Sequence, residues 1–165
     1  MPTVQTYTSE YCDQVIDLIR RVQQDEFAAP IKIENQPDLL KIPQFYQVKK
    51  GNFWIATEQE RVVGTIALID IGNSQAAIRK MFVDQNYRGK HIGVGQQLLN
   101  TLLDWAEIHS ISELYLGTIE VFKAAHRFYE KNGFLQINQA ELPSTFPVMQ
   151  ADTRFYKYVL STLNG

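Results

Sequence analysis

Val83-Asp-Gln-Asn-Tyr-Arg-Gly-Lys-His-Ile-Gly-Val-Gly95 separates two stretches of opposite periodicity. Before it, Ala77–Val83 reads as a strand. After it, Gly93 to His109 predicts a helix, with Leu98, Leu99, Leu102, Leu103 and Ala106 on one stripe and Gln96, Gln97, Asn100 and Asp104 elsewhere. Glycines in such a strand-to-helix junction let the backbone turn tightly and approach a ligand closely. The first N–H groups of the following helix lack internal partners and carry the positive end of its dipole, so they suit an anion. Arg79, Lys80, Arg88 and Lys90 add positive charge against only Asp84. A phosphate or pyrophosphate is the natural partner; the plain alternative is a glycine-containing turn with solvated basic residues.

The kind of phosphate ligand can be narrowed. Gly89-Lys90 is followed by His91 and lacks the upstream glycine of a Walker loop, which argues against a P-loop nucleotidase. Gly93-Val94-Gly95 supplies two of the three glycines of a dinucleotide fingerprint, and Glu113 falls at the start of the next strand rather than its end. A dinucleotide site is therefore the weaker reading.

Working outward, Thr3–Tyr7 predicts a strand and a helix follows from about Ser9, with Tyr11, Val15, Leu18, Ile19 and Val22 on one face. Ala28–Pro43 reads as a proline-rich loop with one short helix near Pro37–Leu40. Phe53–Thr57 and Val62–Ile69 predict strands around the polar Glu58–Arg61 turn. Glu113–Thr118 predicts a short strand, and Val121–Lys131 a helix closed by Asn132-Gly133. Phe134–Ile137 and Arg154–Leu160 predict final strands, joined by a long connection that holds Pro143 and Pro147. The order β-α-(α)-β-β-β-α-β-α-β-β implies an α/β (α+β) chain: a mixed sheet with helices packed on it.

The 165 residues suit one domain, 1–165, and bury enough surface to need no disulfide or metal staple. Sixteen Lys+Arg against eighteen Asp+Glu give a net charge of −2, unlike a protein that lives on nucleic-acid phosphates. Cys12 is the one cysteine, and no Cys/His cluster suggests zinc, so no metal is expected. Neither a leader pattern nor a spanning apolar run is present, which predicts no membrane partner and a cytoplasmic location.

In Phe122-Lys-Ala-Ala-His-Arg-Phe-Tyr-Glu-Lys-Asn-Gly-Phe134, helical spacing sets Phe122, Ala125 and Tyr129 on one face. Taken alone, Tyr129 reads as a packed core tyrosine with its hydroxyl tied to the backbone. Tyr87–Leu99 followed by Ala125–Phe134, however, resembles the GNAT family of acetyl-CoA-dependent N-acetyltransferases. The first segment is similar to the family's pyrophosphate loop and the second to its helix-to-strand ending. Gly51–Gly64 and Ala77–Val83 match its central strands in order and length, so the likeness spans most of the chain.

That resemblance implies a mostly antiparallel twisted sheet of about seven strands, flanked by about four helices, with one splayed parallel pair. It implies that Arg88, Gly89, Lys90, His91, Ile92, Gly93, Val94 and Gly95 hold the pyrophosphate, and that Met81 and Val83 pair their backbone with pantetheine. Phe122 stands where some members carry a cofactor-binding Asn, and His91 where many carry Gly. Tyr129 matches the tyrosine that protonates the departing thiolate. Ala76-Ala77 occupies the region where many members place a glutamate base. Since deprotonating an alkylammonium with pKa near 10 at neutral pH costs about 4 kcal/mol, a base is needed, and Glu120 is the candidate; Glu120 reads equally as a helix N-terminal glutamate stabilised by the dipole.

The expected partners are acetyl-CoA and an amine acceptor on a small molecule or peptide, with a homodimer allowed by the resemblance. A non-catalytic acyl-CoA-binding module is the alternative, motivated by the absent glutamate and by Phe122. Asp25–Tyr46 and Glu141–Thr153 are expected to shape the acceptor site, with Phe27, Phe45, Tyr46 and Phe146 giving it apolar surface. Glu26, Glu34 and Asp152 are the acidic residues there that attract a cation.

Overall fold

The computed structural model describes residues 1–89 and 92–160. Seven strands form one sheet: β1 (Thr3–Thr6), β2 (Asn52–Glu58), β3 (Arg61–Gly72), β4 (Gln75–Val83), β5 (Glu113–Thr118), β6 (Leu135–Ile137) and β7 (Arg154–Val159), in the order β1-β2-β3-β4-β5-β7-β6. Every neighbouring pair is antiparallel except β4 with β5. The α-helices are α1 (Cys12–Arg20), α2 (Ile42–Phe45), α3 (Val94–Ile108) and α4 (Lys123–Lys131). This is the mostly antiparallel sheet with one parallel pair and four helices that the resemblance implies. No described helix is long and apolar enough to cross a membrane.

Two cores sandwich the sheet. On one face Val94, Leu98, Leu99, Leu102 and Ala106 of α3 meet Trp54, Ile66, Leu68, Ile78, Leu114 and Leu116, together with Tyr129 of α4. Leu98, Leu99 and Leu102 are fully buried, each stabilising the fold by about 2 kcal/mol through apolar burial. On the other face Val15, Leu18, Ile19 and Val22 pack on Phe53, Ile55 and Ala67, with Leu39, Ile42 and Tyr46 closing the edge. Past Arg20 the helix widens over Arg21–Glu26, where Phe27 N–H reaches back to the Val22 carbonyl at 3.2 Å. The wider turns bring Glu26 and Phe27 toward the Val83–Gly95 junction. That widening is invisible in the apolar spacing.

The site is created where β4 and β5 separate. Their parallel pairing comprises Gln75↔Glu113, Ala76↔Leu114 and Ala77↔Tyr115, and then stops. A bulge in β4 follows at once: the register against β3 slips between Thr65 and Ala67, and Lys80 takes the left-handed φ of 55°. Thr65 Oγ1 donates to the Lys80 carbonyl at 2.6 Å and fixes the distortion. A bulge bends its strand and increases local twist, so the rest of β4 diverges from β5. Beyond Ala77, β4 therefore has a free backbone edge on that side.

Candidate active site

At the mouth of the opened strands the Val83–Gly95 junction crosses into α3. Asp84 caps its first short turn, accepting from Asn86 N–H at 2.9 Å, while Arg21 holds the other carboxylate oxygen at 3.2 Å. The Arg88 guanidinium is committed to the protein. Its Nε donates to the Val83 carbonyl at 2.9 Å, its terminal nitrogens form a two-pronged ion pair with Glu26, and it lies over the Phe27 ring. Arg88 therefore contributes here through backbone and loop shape rather than as a free cation. Lys90 and His91 lie outside the described residues.

Gly93 sits at the helix N-cap with φ of 72°, a conformation that side chains rarely tolerate. Ile92 and Gly93 N–H both turn back to the Gly89 carbonyl, at 3.3 and 3.0 Å, and Gln97 N–H is bonded to the Gly93 carbonyl. By helical geometry the N–H groups of Val94, Gly95 and Gln96, ahead of the first intrahelical donor Gln97, have no intrahelical acceptor. Of the residues expected to hold the pyrophosphate, Val94 and Gly95 thus have N–H groups without a backbone partner among the described residues, whereas those of Ile92 and Gly93 are engaged by the Gly89 carbonyl. A Cβ placed on Gly95 would meet Met81 Cε at 3.5 Å and Val83 Cγ2 at 3.8 Å. The free edge of β4 and the start of α3 therefore adjoin, as the Met81 and Val83 expectation requires. Any pyrophosphate-bearing cofactor seated here needs this short route from helix N-terminus to strand edge, and the residues present fit it.

Tyr129 of α4 lies on the α3 side of the sheet, only 5% exposed, among Phe134 (ring centroids 5.5 Å apart), Phe128 (5.8 Å) and Tyr156 (5.9 Å). Its hydroxyl makes no hydrogen bond among the described residues, contrary to the plain core-tyrosine reading. Burial pushes the phenol well above its ordinary pKa, so it stays protonated at neutral pH. The helix end is fixed by Gly133, φ 91°, with Phe134 N–H closing on the Tyr129 carbonyl at 3.0 Å. Buried His126 meets the Ile119 carbonyl through Nε2 at 2.9 Å and ties α4 to the end of β5.

Glu120 is exposed and ion-paired with Arg154 at 3.4 Å. Phe122 does not point a polar group at the site; it packs edge-on against Phe27 (5.2 Å) and Phe82 (6.2 Å), bridging α4, the α1 extension and β4.

A second group of polar residues, which sequence spacing did not join, lies on the α1 face of the splay. Lys80 is buried, bonded to Gln36 and 3.5 Å from Asp38. Tyr46 donates to the same Asp38 carboxylate, and Gln36 donates to Gln23 at 2.7 Å. Burial lowers the Lys80 ammonium to about 8, although Asp38 opposes the shift. Arg79 and Lys80 thus leave the anion loop, to which charge counting had assigned them: strand alternation puts Arg79 on the face of Ala77, and the bulge turns Lys80 to that same side. Asp152, from the connection before β7, lies against Gly117 of β5. A Cβ there would come within 2.4 Å of Asp152 Oδ2. Among the described residues no group of His, Cys, Asp and Glu could hold a metal ion.

Comparison with known proteins agrees with this geometry. The model of the acetyltransferase (GNAT) family matches residues 16–134. The N-acetylaspartate synthetase of Xenopus tropicalis is 37% identical over 108 residues, covering 63% of this chain and 38% of that protein. The chain thus spans well under half the length of such curated relatives. A crystal structure of a GNAT-family acetyltransferase from Staphylococcus aureus Mu50 superposes with a TM-score of 0.94 at 37% identity, over 98% of this chain and 100% of that one. The PaiA N-acetyltransferase of Thermoplasma acidophilum, solved with coenzyme A, shares the fold at a TM-score of 0.75 and 17% identity, over 97% and 99% of the two chains. With a family match over most of its length, set on a splayed β4–β5 pair beside a helix N-terminus, the chain belongs to the GNAT family of acetyltransferases.

Proposed function

We propose that the protein transfers the acetyl group of acetyl-CoA directly to a primary amine of a small molecule or peptide. One observation supports the reading: β4 parts from β5 beside the N-terminus of α3, and the core on that face of the sheet holds Tyr129, whose hydroxyl has no hydrogen bond among the described residues. Acetyl-CoA supplies the activated acyl thioester. The residues of the chain bind, align and stabilise. The N-terminal groups of α3 hold the pyrophosphate, with the segment Arg88–Gly95 shaping the approach. The free edge of β4 at Met81 and Val83 continues the sheet hydrogen bonding onto pantetheine, and Phe122 lines the cleft with apolar surface rather than a polar contact.

Tyr129 serves as donor to the sulfur that leaves. A phenol near 10 is a weaker acid than a thiol near 8.5, so complete transfer is uphill by about 2 kcal/mol. Burial raises the Tyr129 value further. Its strongest contribution is therefore a hydrogen bond that tightens as charge develops on sulfur, with the proton passing late. Glu120 is the candidate acceptor of the ammonium proton; its exposure and its pairing with Arg154 favour action through solvent. Holding two reactants in line supplies much of the acceleration.

The relatives' names support amine acetylation, and the coenzyme A complex of a structural neighbour supports the cofactor. The decisive experiment incubates the protein with acetyl-CoA and a panel of primary amines, measuring free thiol and acetylated product together. One thiol per acetylated amine supports direct transfer. Tight CoA binding without thiol release would instead favour the acyl-CoA-binding module.

A further inference from the structure

The two strands that part at the site carry opposite charges toward each other. Continuing the Ala77↔Tyr115 register past the point of separation sets Arg79 of β4 opposite Gly117 of β5. Gly117 has no side chain, and the space beside it is taken by the Asp152 carboxylate. Arg79 thus faces Asp152 across the opened cleft.

Neither charge is neutralised by a direct partner. The Arg79 guanidinium donates to the Met149 thioether sulfur at 3.1 Å, a weak acceptor, and forms no ion pair with any described residue. Lys80 differs, since Asp38 and Gln36 already hold it. Asp152 also lacks an ion pair among the described residues, and the fields of Arg79 and Lys80 reach it from beyond contact. Burial raises its pKa in spite of them. A half-buried arginine whose hydrogen-bond partner is a thioether is costly unless an anion arrives, and its planar fork suits a carboxylate.

We propose that the acceptor is an amine bearing a carboxylate, an α-amino acid or close analogue, whose carboxylate docks on Arg79 and whose ammonium faces Asp152. The inference rests on the acetyl-transfer reading above and names its substrate class. Arg79 and Asp152 interact electrostatically without forming an ion pair, and this polarity suits a zwitterion whose negative end meets β4 and whose positive end lies beside β5. The bulge at Lys80 is what makes this arrangement, because in a regular strand Arg79 and Lys80 would face opposite sides. Lys80 then adds field without being the docking group.

The test offers acetyl-CoA with amines in matched pairs, each amino acid against its carboxamide, alongside diamines, polyamines and C-terminally amidated peptides. The expected result is a kcat/KM about 10- to 100-fold higher for the carboxylate member, the size of a charge-assisted contact. Arg79→Gln should erase that preference through KM, with kcat and CoA affinity little changed, and Arg79→Lys should restore part of it. Equal turnover of acids and carboxamides, or a preference intact in Arg79→Gln, would overturn the docking role. Turnover confined to diamines, polyamines or amidated peptides would overturn the substrate class and leave acetyl transfer standing. No thiol release from any amine, with CoA bound, would remove the transfer reading and this inference together.

Discussion

Tyr129 shows how a single environment can give one group two readings. The spacing of Phe122, Ala125 and Tyr129 places the phenol on an apolar helix face, where most tyrosines are structural. What distinguishes it is a hydroxyl bonded to no described residue, a property that exists only in the folded chain. Tyr129→Phe should lower kcat by about 100-fold with acetyl-CoA affinity little altered, the range for loss of a positioned proton donor; steady-state rates and a CoA titration decide it, and unchanged turnover removes Tyr129 from the chemistry. Gly117 makes a complementary prediction. Since a Cβ would overlap Asp152 Oδ2, Gly117→Ala should displace that carboxylate and raise acceptor KM, while the CoA dissociation constant holds. Equal KM values would separate Asp152 from the acceptor.

Lys80 carries a pH signature. Its folded pKa of about 8 lies below the ordinary 10.5 because burial disfavours the ammonium. Between those values the folded state binds fewer protons than the unfolded chain, so stability from this group rises with pH. Below pH 8 the full burial penalty is present in the folded state. Melting curves of the protein and Lys80→Met from pH 8 to about 9.5 should show the unsubstituted protein gaining ground on the variant. A constant difference would mean that Lys80 titrates normally.

Among the elements, those with strong periodicity were legible. Glu113–Thr118 is the strand the sequence predicted, and α3 begins one residue after the expected Gly93. The helix after β5 begins at Lys123 rather than Val121, because Ile119 to Phe122 first forms a turn that places the Phe122 ring against Phe27 and Phe82. The β4 bulge was not legible. Nothing in Ile78-Arg-Lys-Met81 marks it, since it arises from pairing with β3 and the bond of Thr65 to the Lys80 carbonyl. For the same reason sequence counting put Arg79 and Lys80 with the loop charges, whereas the strand turns them to the α1 face, where they meet Met149, Gln36 and Asp38. Of the residues singled out in the two long loops, Tyr46 and Asp152 lie near this β4 segment, and Asp38 and Met149, which sequence did not single out, contact Lys80 and Arg79. Gly93→Val, which forces a β-branched residue to φ of 72°, should distort the α3 N-terminus and weaken CoA binding at least tenfold by calorimetry. Unaltered affinity would move the pyrophosphate elsewhere.

On the scale of the whole molecule, the sheet separates labour between its faces. On the reading proposed above, the α3–α4 side binds the cofactor and carries Tyr129, and the α1 side carries the charges that meet the acceptor, with the splay between them. A net charge of −2 is compatible with an anion site of this kind, because backbone N–H groups at a helix N-terminus attract an anion without requiring a basic overall balance. The family could be read from two linear motifs while the acceptor group could not. The motifs are contiguous along the chain, whereas Arg79, Gly117 and Asp152 meet only after the sheet forms. The measurement that bears most directly on the account is thermal unfolding with acetyl-CoA, free CoA, NAD and no ligand. At about 100 times its dissociation constant a ligand should stabilise the fold by about 2.7 kcal/mol. The account predicts an upward shift with both CoA species and none with NAD; no shift with either CoA species at saturating concentration would contradict it.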